Sequence, residues 1–404
     1  MNILFLTLPF STSKVRSSYE ELLRAFITDG HSVYVACANE KNCGEQPGLT
    51  EDDGMSILRV PTGRITGNIP IVEKGISTMT VDRLFQRAVK KAYKGIKFDL
   101  IMYPTPPITL VNTIGYFKRK MNAHTYLLLK DIFPQNAVDL GMMRKTGLKG
   151  VLYKLFRKKE KKLYQVSDYI GCMSPANVSY VLKHNPELAG KTVEVCPNCS
   201  LVPQNEPVFK KETSALKKTY NIPDDAVIFL YGGNLGKPQG IPFLIECLRK
   251  ESANKKAFFI IVGQGTEYNR IQQFINTEKP CNVVLIDYLP YIEYKKIADQ
   301  SDVGLILLDH RFTIPNYPSR LLAYLRAGMP VIAATDRNTD IGTIACENGY
   351  GFCCESNDVE AFSKAIDDMI HADREEMGRK GWEFFLNNYT VEKSYQTIKK
   401  HFIG

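Results

Sequence analysis

The chain has 404 residues, of which 44% are hydrophobic and 24% are charged, and its formal net charge is +9. This length favours two domains of roughly 200 residues, and the composition is that of a globular protein with a large core. No apolar run approaches the roughly 18 residues of a membrane span, and MNILFLTLPF lacks the basic region of a signal peptide, so membrane-spanning and secreted proteins are excluded and a cytoplasmic one is expected.

The first half of the chain alternates apolar, strand-like segments with amphipathic helical ones. The predicted strands are NILFLTL, HSVYVACA, MSILRVP, FDLIMYP, HTYLLLK, SDYIGCMS and TVEVCPN. EKNCGEQPGLTEDDG is predicted as a loop, and Pro106 and Pro107 are expected to begin a helix that continues through ITLVNTIGYFKRK. Strands that alternate with helices predict a parallel, doubly wound α/β sheet.

A strongly basic helix is predicted near the end of this half, over Leu148–Leu163. It holds seven Lys or Arg residues and a single acidic one, Glu160, while apolar residues recur at helical spacing. Two interpretations remain open, a solvated face of an ordinary helix or a helix that contacts an anionic membrane surface. Nucleic acid is not an expected partner, because no basic motif interleaved with aromatic residues is visible.

Ten cysteines are scattered along the chain, at positions 37, 43, 172, 196, 199, 247, 281, 346, 353 and 354. Most of them lie in apolar surroundings, which predicts buried free thiols in a reducing compartment. The isolated CxxC at Cys196–Cys199 has no second pair and no histidines at ligand spacing, and a linker-like segment follows it. Neither a zinc site nor a redox motif is therefore favoured.

The polar segment SLVPQNEPVFKKET interrupts the pattern, and a domain boundary is predicted within it. The predicted domains are 1–203, 204–387 and a final helical segment, 388–404, that returns to the first domain. The second half repeats the α/β scheme, with predicted strands AVIFLYGG, KAFFIIVGQG, NVVLID, DVGLILLD, PVIAATD and YGFCCE. Ligands of such sheets bind at the carboxyl ends of the strands, which are expected to face a cleft shared by the two domains.

Several features of the second half line up at that edge. The glycine-rich turn YGGNLGKPQG follows the first strand, although its spacing matches neither a dinucleotide fingerprint nor a P-loop. VGQG follows the next strand. Ser319 is predicted to cap a helix whose free N–H groups form an anion site with the Arg320 guanidinium. Asp358 is predicted as a second N-cap.

In order and spacing, these segments resemble glycosyltransferase family 4, whose members are retaining enzymes of the GT-B fold. The similarity spans nearly the whole chain and is strongest to bacterial capsule and O-antigen sugar transferases. It implies two Rossmann-like domains, the N-terminal one for the acceptor and the C-terminal one for a nucleotide-sugar donor, most simply a UDP-sugar. It further implies a polyprenyl-diphosphate-linked saccharide acceptor and a peripheral position at the inner face of the cell membrane.

The resemblance also implies residue roles. Asp131, with Lys130 beside it, matches the reacting centre. The residues matched to the donor are Gly233, Asn234, Lys237, Ser319, Arg320 and Leu321 for the diphosphate, Gly263, Tyr288 and Leu289 for the nucleobase, and His310 and Asn316 for the sugar. No cofactor is implied, and the sequence contains no D-x-D, which argues against a metal-dependent transferase.

Some positions depart from the family pattern. The paired glutamates of the E-x7-E motif fall on Pro315 and Ala323, an expected arginine is Asn234, and the histidine before Asp131 is Lys130. The N-terminal Gly-Gly turn is absent from LPFSTSKVRSS. Either the phosphate site is rebuilt from Lys237 and Arg320, which charge accounting favours, or activity has been lost. The alternatives are thus an inactive nucleotide-sugar-binding subunit and a GT-B nucleotide-sugar 2-epimerase.

Overall fold

The computed structural model describes residues 1–10, 17–41, 45–65 and 71–402, and for residues 71–76 and 148–149 the backbone alone. Parts of LPFSTSKVRSS, together with Cys43, lie outside the described residues. The chain divides into two compact units, unit 1 (Met1–Cys199 with Val391–Gly404) and unit 2 (Ser200–Thr390). The predicted boundaries, at 203 and 387, lie close to these divisions at 199 and 390.

The described residues of unit 1 form an eight-stranded sheet flanked by helices. Its strands are β1 (Asn2–Thr7), β2 (Ser32–Glu40), β3 (Gly48–Asp52), β4 (Met55–Thr62), β5 (Leu100–Pro104), β6 (His124–Leu129), β7 (Tyr169–Cys172) and β8 (Thr192–Val195). The helices between them are α1 (Ser18–Thr28), α2 (Ile71–Ala92), α3 (Val111–Met121), α4 (Gln135–Asp139), α5 (Gly147–Val166) and α6 (Pro175–His184), followed by a 3-10 turn at Pro186–Leu188. The strand order is β3-β4-β2-β1-β5-β6-β7-β8, and every neighbouring pair is parallel except β3 with β4.

Two expectations for unit 1 are corrected by the structure. Strand β3 lies in the segment predicted as a loop, and it pairs antiparallel with β4 at the edge of the sheet. Helix α3 begins at Val111 rather than at the two prolines. Its start is set by Asp82 of α2, whose carboxylate accepts hydrogen bonds from the backbone N–H groups of Asn112 (3.2 Å) and Thr113 (2.9 Å).

Unit 2 contains a wholly parallel sheet in which six strands are described. They are β9 (Val227–Gly232), β10 (Ala257–Val262), β11 (Val283–Ile286), β12 (Val303–Leu307), β13 (Val331–Thr335) and β14 (Gly351–Glu355). The helices are α7 (Ser214–Tyr220), α8 (Ile241–Lys250), α9 (Tyr268–Glu278), α10 (Tyr291–Asp299), α11 (Arg320–Arg326), α12 (Ile341–Glu347), α13 (Val359–His371) and α14 (Arg374–Asn388), with 3-10 turns at Lys237–Gln239 and Glu251–Ala253.

The strand order of unit 2, β11-β10-β9-β12-β13-β14, reverses direction between β9 and β12. Every residue of β9, β10, β12 and β13 is buried, as expected for parallel strands covered by helices on both faces. The reversal creates a crevice at the carboxyl ends of β9 and β12, where sheets of this type bind ligands. Asp358 is confirmed as an N-cap, because its carboxylate accepts a hydrogen bond of 2.9 Å from Ala361 N–H.

The last helix, α15 (Val391–Lys399), belongs to unit 1 and packs on α1. Tyr395 meets Phe26 edge to face, with ring centroids 4.8 Å apart, and its hydroxyl bonds to Asp29. Lys399 Nζ also bonds to Asp29, at 2.7 Å. One carboxylate at the end of α1 therefore anchors two successive turns of the C-terminal helix.

The cysteines are only partly as predicted. Cys37, Cys172, Cys196, Cys199 and Cys247 are buried free thiols, but Cys281, Cys346 and Cys353 are exposed, because the last two lie at the end of α12 and in the partly exposed strand β14. The Cys346 and Cys353 sulfurs lie 3.0 Å apart.

Thiol reactivity should differ strongly along the chain. A hydrogen bond from Cys346 lowers the pKa of Cys353 to about 7, whereas burial raises the pKa of Cys172 and Cys199 to about 12. At pH 7.5, we expect iodoacetamide to alkylate Cys353 at least about a hundredfold faster than the two buried thiols, because the thiolate is the nucleophile. Peptide mass spectrometry over time measures the rates. Equal rates in the native protein would contradict the prediction, and labelling in guanidinium provides the control.

Candidate functional site

The glycine-rich loop leaves β9 at the crevice of unit 2 and is braced by its neighbours. Leu235 N–H donates to Gln264 O at 2.8 Å, and Glu267 N–H donates to Leu235 O at 2.9 Å. These hydrogen bonds connect the loop to the segment that follows β10. Asp309 N–H, at the end of β12, donates to Pro238 O at 2.9 Å. The loop is thereby held from both sides of the crevice.

Two glycines make this arrangement possible. Gly233 has φ +130° and Gly263 has φ +152°, a region of backbone conformation that residues with a Cβ rarely adopt. A Cβ on Gly263 would also overlap the carbonyl oxygen of Gly233. The two turns therefore approach each other backbone to backbone, which leaves Gly233 exposed at the edge of the sheet.

Two polar side chains of the loop, Asn234 and Gln239, form hydrogen bonds within the loop itself. Gln239 Oε1 accepts hydrogen bonds from Gly236 N–H (3.2 Å) and from Asn234 Nδ2 (3.4 Å). Asn234 is exposed, and so is Lys237, which opens the 3-10 turn Lys237–Gln239. Gln239 thus shapes the turn, while Lys237 projects into solvent.

Arg320, the first residue of α11, is directed at this loop. Its Nη2 lies 3.6 Å from the point where a Cβ of Gly233 would be, and its Cζ lies 4.3 Å from the ring centre of Tyr231. Its Nη1 is buried and has no hydrogen-bond partner among the described residues. Nη2, the guanidinium nitrogen nearest Gly233, is the one placed to donate a hydrogen bond to an anion at this turn.

The capping role predicted for Ser319 is wrong. Ser319 occupies the N-cap position of α11, but its backbone is helical and its side chain makes no capping hydrogen bond. Leu321 N–H is not free either, since it donates to Pro318 O at 3.3 Å in a tight 3-10-like first turn. The group of this segment that is directed at the loop is the Arg320 guanidinium.

The other predicted donor contacts lie along the same edge of the sheet. Tyr288 follows β11 and is 68% exposed, with Leu289 half-buried beside it. His310 follows β12, and half of its side chain is exposed. Asn316 is held by a hydrogen bond of 3.0 Å from its N–H to Thr339 Oγ1. Their roles toward nucleobase and sugar stay predictions.

Asp131 lies at the carboxyl end of β6 in unit 1. Asn136 Nδ2 donates to its Oδ2 at 2.7 Å, and Thr105 Oγ1 donates to its carbonyl at 3.1 Å. Burial raises the pKa of Asp131 to about 6, although the Asn136 hydrogen bond opposes this shift. A carboxyl group that titrates near neutral pH is common at reacting centres and uncommon elsewhere.

The neighbouring Lys130 has a different environment. Its Nζ donates to the carbonyl oxygen of Cys196 at 3.1 Å, and burial lowers its pKa, although the nearby cysteines oppose this shift. The ammonium therefore ties β6 to the segment after β8. The reacting-centre role predicted for Lys130 is untested, and the contact points to a structural one.

Sequence comparison assigns the domain in unit 2. Residues 212–383 match the family model described as Glycosyl transferases group 1. The chain is 22% identical to the probable glycosyltransferase WbjE of Pseudomonas aeruginosa, over 79% of this chain and 78% of that protein. It is also 22% identical to the putative colanic acid biosynthesis glycosyl transferase WcaI of Escherichia coli K12, over 72% and 70% of the two chains.

Solved structures establish the fold of the whole chain. Sucrose-phosphate synthase from Thermosynechococcus elongatus superposes with a TM-score of 0.76 at 15% identity, over 99% of this chain and 98% of that one. HepE of Anabaena, in complex with UDP and glucose, superposes with a TM-score of 0.66 at 13% identity, over 99% of both chains. Residues 212–383 thus match the Glycosyl transferases group 1 model, and the whole chain has the GT-B fold of these glycosyltransferase structures.

Proposed function

We propose that the chain is a retaining, metal-independent transferase of glycosyltransferase family 4. It moves a sugar from a UDP-linked donor to a polyprenyl-diphosphate-linked saccharide during the synthesis of a surface polysaccharide. WcaI, the colanic acid relative, supports the pathway class, and HepE, whose structure holds UDP and glucose, supports the donor class. The proposed location is the cytoplasmic face of the cell membrane.

The observation that carries this proposal is the Arg320 guanidinium, whose Nη2 faces the exposed Gly233 and which pairs with no carboxylate among the described residues. A nucleoside diphosphate is the leaving group of a nucleotide-sugar, and it gains negative charge as the bond to the sugar breaks. A fixed cation at that position stabilises the transition state more than the ground state, which is the condition for catalysis. Lys237, exposed on the same loop, adds a second and more mobile charge.

In the proposed reaction the acceptor hydroxyl attacks the anomeric carbon on the face from which the diphosphate leaves. A departing phosphate oxygen takes the proton of that hydroxyl, and the configuration at the anomeric carbon is retained. Asp131 is proposed to orient the acceptor, or to stabilise the positive charge that develops on the sugar. This differs from the two-carboxylate route of most retaining glycosidases.

The proposal is tested by incubating the protein with UDP-, GDP-, dTDP- and ADP-sugars and measuring release of the nucleoside diphosphate, with and without a polyprenyl-diphosphate saccharide. We expect thermal stabilisation by one nucleotide class and acceptor-dependent release from its sugars. Binding without release under any condition would indicate an inactive nucleotide-sugar-binding subunit. No stabilisation by any nucleotide would overturn the donor site itself.

The exposed half of α5 supports the proposed membrane location. Val151 is 68% exposed, Leu152 47% and Leu155 48%, so these three apolar side chains are not packed into the unit, and Lys154 and Lys158 are exposed among them. The second half of the helix is anchored through buried Glu160, which accepts hydrogen bonds from Arg157 Nη1 (2.7 Å) and Tyr164 (2.8 Å). Among the described helices, none is long and apolar enough to cross a bilayer.

Vesicle binding tests this location. We expect the protein to sediment with phosphatidylglycerol vesicles and not with pure phosphatidylcholine, because each basic residue contributes about 1 kcal/mol at an anionic surface. The double variant Val151→Glu/Leu155→Glu should weaken this binding at least about tenfold, since it removes two inserted side chains. Val208→Glu is the matched control, because Val208 is equally exposed, at 68%, but lies in unit 2. Equal loss in both variants would contradict a docking role for α5.

A further inference from the structure

Three tyrosines from three different elements lie near Arg320, and sequence analysis gave no role to any of them. Tyr231 comes from β9, Tyr294 from α10 and Tyr324 from α11, one helical turn beyond Arg320. Tyr324 Oη accepts a hydrogen bond from Gly232 N–H at 3.1 Å and donates to Leu305 O at 3.2 Å, so this ring is fixed between β9 and β12. The Tyr294 hydroxyl packs directly on Gly232, where no Cβ would fit.

These tyrosines hold a cation without neutralising it. Tyr231 and Tyr324 are buried, and burial raises the pKa of Tyr294 to about 12, so the surrounding groups are uncharged at neutral pH. Within the described part of the chain, Arg320 makes no ion pair with a carboxylate. An internal carboxylate would satisfy the guanidinium and compete with an incoming anion. A neutral aromatic face attracts a cation without supplying a compensating negative charge.

Tyr231 is the member of this group that links the cation to the loop. Its ring centre lies 4.3 Å from Arg320 Cζ. Its hydroxyl donates a hydrogen bond of 2.8 Å to the carbonyl oxygen of Asn234, the residue after Gly233. One side chain thus fixes both the guanidinium and the exposed turn that the guanidinium faces.

We propose that Tyr231 is a positioning residue for donor binding, because its ring holds the Arg320 guanidinium toward the diphosphate while its hydroxyl holds the Gly233–Asn234 turn that receives it. This inference rests on the proposed function. It adds that the strength of the phosphate contact is set by an aromatic face as well as by the charge. Tyr294 and Tyr324 contact the adjacent Gly232 and thereby support the same turn.

A double-mutant cycle tests the inference with UDP as the probe and with GDP, dTDP and ADP in parallel. Tyr231→Leu should weaken nucleotide affinity about 5- to 30-fold, the range expected for a desolvated cation–π contact. In an Arg320→Met background the same change should cost less than about twofold, because the cation it positions is gone. Tyr231→Phe keeps the ring and should recover at least half of the loss on a logarithmic scale.

A purely structural tyrosine would behave differently in this cycle. Phe209→Leu is the matched control, since Phe209 also carries an arginine, Arg379, at 4.8 Å from its ring. We expect it to lower the melting temperature without changing nucleotide affinity. Melting temperatures of all variants separate misfolding from loss of binding.

The outcomes separate the two proposals. If Arg320→Met leaves the affinity for every nucleotide unchanged, the proposed donor site is wrong. If Arg320→Met weakens binding but Tyr231→Leu costs the same in both backgrounds, or nothing in either, the positioning role of Tyr231 is wrong and the donor site stands. If Tyr231→Leu weakens nucleotide binding only when Arg320 is present, the donor site and the positioning role of Tyr231 are both supported.

Discussion

Replacing Arg320 with methionine should lower kcat/KM for the nucleotide-sugar donor by about 10²- to 10³-fold. The removal of one preorganised donor at a site of developing negative charge has effects of this size. Nη1 of Arg320 already lies buried without an acceptor in the described residues, so folding stability should change little or improve. Steady-state rates of nucleotide release, together with urea unfolding of the same protein, measure both effects.

Two further substitutions calibrate that result. Lys237→Met should lower kcat/KM less than about tenfold, because an exposed ammonium on a flexible stem is screened by solvent. Arg249→Met should leave the kinetics unchanged, because its guanidinium pairs with Glu278 at the surface, at 2.7 Å. A larger loss for Lys237 than for Arg320 would reverse our assignment of the principal phosphate ligand.

The alternation of apolar strands and helices was sufficient to predict the architecture. The central strands β9, β10, β12 and β13 of unit 2 are nearly continuous apolar runs followed by a turn, and that pattern depends on local sequence alone. Strand β3 was missed because GLTED is polar and becomes a strand only through its pairing with β4. The start of α3 was misplaced because its cap, Asp82, comes from another helix.

Of the candidate site, only the Arg320 cation could be predicted from the sequence. The position of Arg320 after a strand and before a helix indicated an anion site. The sequence did not indicate that Leu321 N–H donates a hydrogen bond to the Pro318 carbonyl oxygen, which tightens the first turn of α11. The contact of Tyr231 with Arg320 could not be predicted from the sequence, because residues 231 and 320 meet only in the folded sheet. The spacing of Tyr324 from Arg320, one helical turn, was the single local signal of a tyrosine near this side chain.

The second large prediction concerns Asp131, where loss of activity should accompany a gain in stability. Burial raises its pKa from 3.8 to about 6, so the folded state resists ionisation of this carboxyl group. Relative to a neutral side chain, the folded protein therefore loses stability as the pH rises from about 3.8 to about 6. Above that window the full cost, about 3 kcal/mol, persists.

Asp131→Asn should accordingly stabilise the protein by about 3 kcal/mol at pH 7.5 and by only about 1 kcal/mol at pH 4.5. The Asn136 amide keeps a carbonyl acceptor at this position, so its 2.7 Å hydrogen bond has a replacement. Asp168→Asn is the matched control with the opposite sign, because Asp168 bonds to Lys118 Nζ at 2.5 Å and accepts from Thr125 N–H at 3.0 Å. Urea unfolding at the two pH values measures both variants.

The kinetic consequence follows from the same titration. If the ionised carboxylate orients the acceptor or stabilises the developing charge, kcat/KM of the unmodified protein rises through about pH 6, and Asp131→Asn is at least about 10²-fold slower and lacks this limb. A stabilised variant with normal activity would show that burial of Asp131 is incidental. A destabilised variant would show that the carboxylate is a structural ligand of its own loop. Only a variant that is both more stable and inactive would show that the fold retains the Asp131 charge for the reaction.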